Sequence, residues 1–183
     1  ESLTPSADNL SYTLTLKPNL KWQDGQPLTA DDVVFTFNKL LDAKQHSFFR
    51  SMFTYGDKPV QVSKVDDRTV KFTLPQVSAA FTGTLVQIYP IPQHVFASEG
   101  DLEKSSKNDA PVGSGPFKFK EYRAGQYYAL TRFDDYWNGK AKLDSVTYRF
   151  AKDSNAANLA LQNGEINLKM VDPQDVNRLK NTG

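Results

Sequence analysis

The sequence predicts a mixed α/β fold, antiparallel up to about Pro111 and of βαβ character after Leu143. Three patterns predict it. Apolar residues alternate with period two before a single amphipathic helix, a second alternating pair flanks a polar turn, and the last part of the chain has a strand, helix, strand rhythm.

Leu10, Tyr12, Leu14 and Leu16 alternate with Ser11, Thr13 and Thr15, which reads as a half-buried strand. Asp24-Gly25 tolerates positive φ, and Pro27 forbids a regular ladder, so the chain is expected to turn out of the sheet there. Thr29 is placed to cap a helix. Asp32 can reach back to it, and Asp31 and Asp32 suit the positive end of the helix dipole. Val33, Phe37, Leu40 and Leu41 then fall on one apolar stripe.

The aromatic stretch His46–Tyr55 has poor periodicity and reads as a structured loop or short helix. Val60, Val62 and Val65, a turn at Asp66-Asp67-Arg68, and Val70, Phe72 and Leu74 predict a β-hairpin that Pro75 ends. Phe81–Ile88 is apolar enough for a buried helix or strand, and Gln93–Phe96 begins a short helix after Pro90 and Pro92. Glu99–Pro111 is an exposed connection. Val112-Gly113-Ser114-Gly115-Pro116-Phe117 predicts a tight turn into a strand through Phe117 and Phe119, followed by another over Tyr127–Arg132. Finally Val146, Tyr148 and Phe150 predict a strand, Ser154–Asn163 a helix stopped by Gly164, and Ile166, Leu168 and Met170 a second strand. Asp172, Pro173 and Asp175 look like the N-cap, first position and capping-box acid of a last helix through Val176 and Leu179.

A chain of 183 residues holds one ordinary domain or parts of two. Its 22 Lys and Arg against 21 Asp and Glu give a net charge of +1 with no basic block, so no nucleic acid partner is expected. The absence of Cys excludes a disulfide scaffold, thiol catalysis and Cys-ligated metal. No apolar run is long enough to cross a bilayer, and Glu1-Ser2-Leu3-Thr4 lacks the regions of a signal peptide.

The run Leu14–Phe35, with Trp22-Gln23-Asp24-Gly25 followed by Thr29-Ala30-Asp31-Asp32-Val33, resembles the signature of the family 5 extracellular solute-binding proteins. These are the peptide, nickel and oligosaccharide receptors of bacterial ABC importers. Further along, Pro90-Ile91-Pro92-Gln93-His94 is similar to the family's Pro-x-x-His element. Val112-Gly113-Ser114-Gly115-Pro116-Phe117 resembles its Val-Gly-Thr-Gly-Pro-Tyr segment, Tyr136-Trp137 its aromatic pair, and Ala160-Leu161-Gln162-Asn163-Gly164-Glu165-Ile166-Asn167 its Ala-Leu-x-x-Gly-Glu-Ile-Asp segment. Ser114, Phe117 and Asn167 depart from it mildly.

The resemblance implies a type II periplasmic-binding-protein-like fold with an extra small domain, of which this chain is a part. Residues 1–111 correspond to the small peripheral domain, incomplete at its N-terminus. Residues 112–183 correspond to the second segment of the first lobe, ending before the hinge to a second lobe outside this chain. It implies the substrate-binding component of an importer for oligopeptides or dipeptides, outside the cytoplasmic membrane, in the periplasm or on a Gram-positive cell surface. The partners implied are a peptide or other small solute and ABC permease subunits. Membrane association is expected only through a lipid anchor or signal not in this chain. No cofactor, metal or catalytic residue is expected. Two alternatives are a secreted hydrolase domain and a protein-binding or signalling receptor module.

Seven residues are candidates for ligand contact. Val112, Gly113 and Ser114 read either as a wall that a ligand approaches closely or as a tight turn only. Phe48 and Phe49, which the resemblance places near a side-chain pocket, read either as ligand contacts or as core. Tyr89 and Met170 complete the set. Trp22 and Trp137 are assigned to packing. Ser114 lacks the spacing of a nucleophile elbow, and His46 and His94 have no carboxylate partner evident in sequence.

Overall fold

The computed structural model describes residues 1–180. A four-stranded antiparallel sheet comes first, in the order β1 (Ser2–Pro5), β2 (Ser11–Thr15), β6 (Thr69–Thr73) and β5 (Gln61–Asp66). Register pairs Tyr12 with Phe72 and Leu14 with Val70, so the apolar residues of β2 and β6 share one face. The hairpin β5–β6 forms as its alternation predicts, with one correction. Val65 sits in a bulge between Lys64 and Asp66 and points outward, because the step from Val62 to Val65 is odd and breaks the period of two.

Helix α1 (Ala30–Leu41) lies on that face. Its start is the expected capping box: the Asp32 carboxylate accepts from the Thr29 amide at 2.9 Å, and the Thr29 hydroxyl caps the first turn. The second Asp32 oxygen accepts from the Gln93 amide at 2.9 Å, at the start of α3 (Gln93–Phe96). Thr36 adds a parallel tie, its hydroxyl accepting from the Ile91 amide at 2.9 Å. Beneath the helix Phe37 meets Phe53 and Phe72 edge-on, each at 5.1 Å between ring centres, and Phe81 closes the cluster. Phe53 ends a short 3-10 helix, Phe48–Phe53, followed by the two-residue hairpin of β3 (Thr54–Tyr55) and β4 (Lys58–Pro59). Phe81 opens α2 (Phe81–Leu85), shorter than its apolar run, since Val86 turns out to solvent.

A second sheet holds β7 (Phe117–Arg123), β8 (Tyr127–Arg132) and β9 (Ser145–Arg149), all antiparallel. Helix α4 (Ser154–Gln162) follows, capped by Asp153. It closes in a Schellman turn, with Gly164 at φ 72° and the Glu165 amide bonding to the Ala160 carbonyl.

The expected βαβ unit stops here at strand and helix. Ile166, Leu168 and Met170 do not form a strand, because a ladder needs a partner edge, and no backbone hydrogen bond joins them to β9 or any other described strand. Leu168 and Met170 are almost fully exposed. The last helix, α5 (Val176–Lys180), follows a 3-10 turn at Pro173–Asp175, but its expected caps are engaged elsewhere. Asp172 accepts from the Ser154 hydroxyl, and Asp175 from the Asn158 amide and Arg178.

Asp32 serves two helix starts, so its loss costs more than the loss of its capping partner. Thr29→Ala is expected to lower stability by about 0.5–2 kcal/mol. Asp32→Ala also strands the Gln93 amide, and is expected to cost ~2–4 kcal/mol. Urea unfolding of both variants measures the difference; equal losses would mean that the Gln93 contact contributes nothing.

Candidate functional site

Phe53 is buried in the core, which fixes the 3-10 helix that begins at Phe48 and leaves its first residues at the surface. Phe48 is 77% exposed and meets Phe49 edge-on at 5.7 Å. Tyr89, 83% exposed, stands on the strap between α2 and α3 that Thr36 holds through Ile91. Phe49 and Tyr89 line one cavity of about 220 Å³, together with Thr36, Leu40, Gln87 and Ile88. Ile88 and Thr36 also border a second cavity of about 280 Å³, lined by Leu3, Leu14, Leu16 and Phe37 among others. Both walls are almost wholly apolar.

Val112, Gly113 and Ser114 form a separate group. They form no hydrogen-bonded turn, helix or strand, and neither Gly113 nor Gly115 has positive φ. Gly113 is instead tightly packed against Gln23. A Cβ there would meet the Gln23 side-chain oxygen at 3.3 Å, because Gln23 and Gly113 exchange bonds: the Gln23 amide donates to the Gly113 carbonyl at 2.9 Å, and the Gly113 amide to Gln23 Oε1 at 3.0 Å. Gln23 Nε2 then donates to the carbonyls of Gly115 at 3.0 Å and Phe117 at 2.8 Å.

Met170 is 94% exposed and lines neither cavity. Trp22 packs as expected at 1% exposure, with its indole Nε1 unpartnered among the described residues. Trp137 is only half-buried; Lys17 Nζ lies 4.6 Å from its ring centre, a cation–π contact rather than core packing.

The sequence reading missed one pair. His94 Nε2 is 2.6 Å from Asp24 Oδ2, so the Asp24-Gly25 turn is tied to α3. No hydroxyl hydrogen-bonds to His94 among the described residues, and no cluster of three or more His, Asp or Glu able to hold a metal occurs among them. Burial pushes the Asp24 carboxyl up, but the His94 hydrogen bond, the Gln26 amide and the imidazole charge outweigh it and hold the carboxyl below its ordinary value.

Residues 1–183 match in full the model of the bacterial extracellular solute-binding proteins, family 5, middle part. The chain belongs to this family. It is 57% identical to the ABC transporter substrate-binding protein CtaP of Listeria monocytogenes, with a TM-score of 0.98 over all of this chain and 38% of that one. The oligopeptide-binding protein AppA of Bacillus subtilis is 39% identical over 179 residues, 96% of this chain and 32% of AppA. The structure of AppA with a nonapeptide superposes on this chain with a TM-score of 0.92. NikZ of Campylobacter jejuni, solved with Ni(L-His), superposes at 0.90 with 29% identity, covering 98% of this chain and 36% of NikZ. The chain thus spans about a third of the length of the curated relatives it matches, and its mixed α/β architecture is that of the periplasmic-binding-protein-like structures.

A carboxyl with a lowered folded pKa contributes stability that is full above its unfolded value and is lost as the pH falls through the folded one. Asp24→Asn is therefore expected to be less stable than the parent at neutral pH, with the gap closing once the pH drops below 3.8. Urea midpoints at neutral pH and near pH 3 test this; a gap that persists in acid would show that ionisation of Asp24 is not what the pair contributes.

Proposed function

We propose that this chain is part of the substrate-binding component of a bacterial ABC importer that captures peptides outside the cytoplasmic membrane. The observation that carries the reading is the apolar cavity between Phe49 and Tyr89, whose volume of about 220 Å³ suits one large side chain. It lies in a chain that superposes on AppA, a protein solved around a nonapeptide. The apolar wall favours a peptide side chain over a compact charged chelate.

In this reading residues 1–111 are the small peripheral unit and residues 112–183 belong to the first lobe. Phe48, Phe49 and Tyr89 grip a side chain, and Val112, Gly113 and Ser114 face the peptide backbone. The receptor does no chemistry. It closes over its solute because contacts on both walls favour the closed state, and it hands the solute to permease subunits. Its place is the periplasm or the outer surface of a Gram-positive cell.

Calorimetry of the intact receptor with a library of nonapeptides, beside a peptide-turnover assay, tests the assignment. Stable binding without turnover is expected; turnover without stable binding would support a hydrolase instead. Phe49→Ala and Tyr89→Ala are each expected to remove about 1–2 kcal/mol of binding, a loss of about 5–30-fold in affinity. Unchanged affinity in both variants would remove the cavity from the site. The chain of 183 residues alone supplies one wall and is expected to bind much more weakly than the intact receptor. Equal affinities would place the whole site within it.

A further inference from the structure

The half-buried segment from Val112 to Phe117 has an unequal distribution of partners. Gln23 takes both polar groups of Gly113 and the carbonyls of Gly115 and Phe117. Both N–H groups of its side-chain amide donate and its oxygen accepts, so the orientation of this amide is fixed by what it touches. By contrast the Ser114 amide, the Ser114 hydroxyl and the Gly115 amide make no hydrogen bond among the described residues.

Half-buried donors require a partner, and in the absence of protein groups the partner is water or ligand. The Cβ side of Gly115 is open. A Cβ built there meets nothing within 4 Å, whereas at Gly113 the Gln23 oxygen stands at 3.3 Å. One glycine of the pair is closed off by Gln23, and the other faces open space.

We propose that Gln23 is a positioning residue for the ligand: it fixes residues 113–117 so that the Ser114 and Gly115 donors are held out to an oxygen of the bound solute, a peptide carbonyl or carboxylate. The proposal rests on the peptide-binding reading above. It assigns a role to a residue that contacts no ligand, and it names the chemical group that the segment recognises. Loss of Gln23 frees three backbone groups at once, and Glu in its place puts a carboxylate oxygen against the two carbonyls that now receive N–H bonds.

The test uses the intact receptor, calorimetry with the nonapeptide library, and amide hydrogen exchange across residues 112–117. Gln23→Ala is expected to speed exchange at Gly113, and both Gln23→Ala and Gln23→Glu to weaken peptide binding about tenfold or more. Gly115→Ala separates positioning from folding, since its φ is not positive and its methyl enters open space. It is expected to leave the thermal midpoint and the Gly113 exchange rate unchanged, yet to weaken binding by about tenfold. Unaltered exchange in Gln23→Ala would overturn the positioning role, and Gly115→Ala binding like wild type would overturn the ligand contact. Wild-type receptor that binds no peptide would instead remove the peptide reading itself.

Discussion

Phe37 is the residue on which the packing around the four-stranded sheet depends. Its ring meets Phe53 and Phe72 edge-on, and Phe81 completes the cluster against both. Each partner comes from a different element, so this packing ties α1 to the sheet, to the 3-10 helix and to α2. Such ring pairs contribute about 0.5–1.5 kcal/mol each beyond area burial. The aromatic side chains at the surface inherit their positions from it. Phe48 and Phe49 stand where they do because Phe53, at the other end of the same short helix, is fully buried.

Contacts between the Lys17–Gln23 segment and the residues around the second sheet are of unequal weight. Lys21 and Asp135 pair at 2.7 Å, but both side chains are about half exposed, at 45% and 59%. Such pairs are worth about 0–1 kcal/mol. The Lys17–Trp137 contact is likewise exposed and of similar size. Gln23 instead makes several half-buried bonds, each worth about 0.5–1.5 kcal/mol, and these hold the seam.

What was legible in the sequence was local. The Thr29 capping box, the alternation of β2 and the hairpin of β5 and β6 depend on residues a few positions apart, and each formed. Strand β1 and the β3–β4 hairpin went unread, because edge strands this short carry too few residues to establish a period. Ile166, Leu168 and Met170 show the opposite error: side chains alternate, yet a strand is defined by its neighbours. The site was the least legible part. Gln23 acts across 90 residues and His94 across 70, and nothing periodic links such pairs. Phe49 and Tyr89 could be chosen as aromatic candidates, but only the fold shows that they share a cavity.

Asp32 places a single anion between the beginnings of two helices. Helix α3 is a short turn that cannot sustain itself, since so few residues do not repay the cost of nucleation. Its first amide is held by a carboxylate that reaches its place only when α1 is formed. Order in the segment Tyr89–Phe96 is thus conditional on order in α1, and so is what it carries, Tyr89 on the strap and His94 on α3. Loosening the first turn of α1 would therefore blur two distant surface points together, without any contact between them.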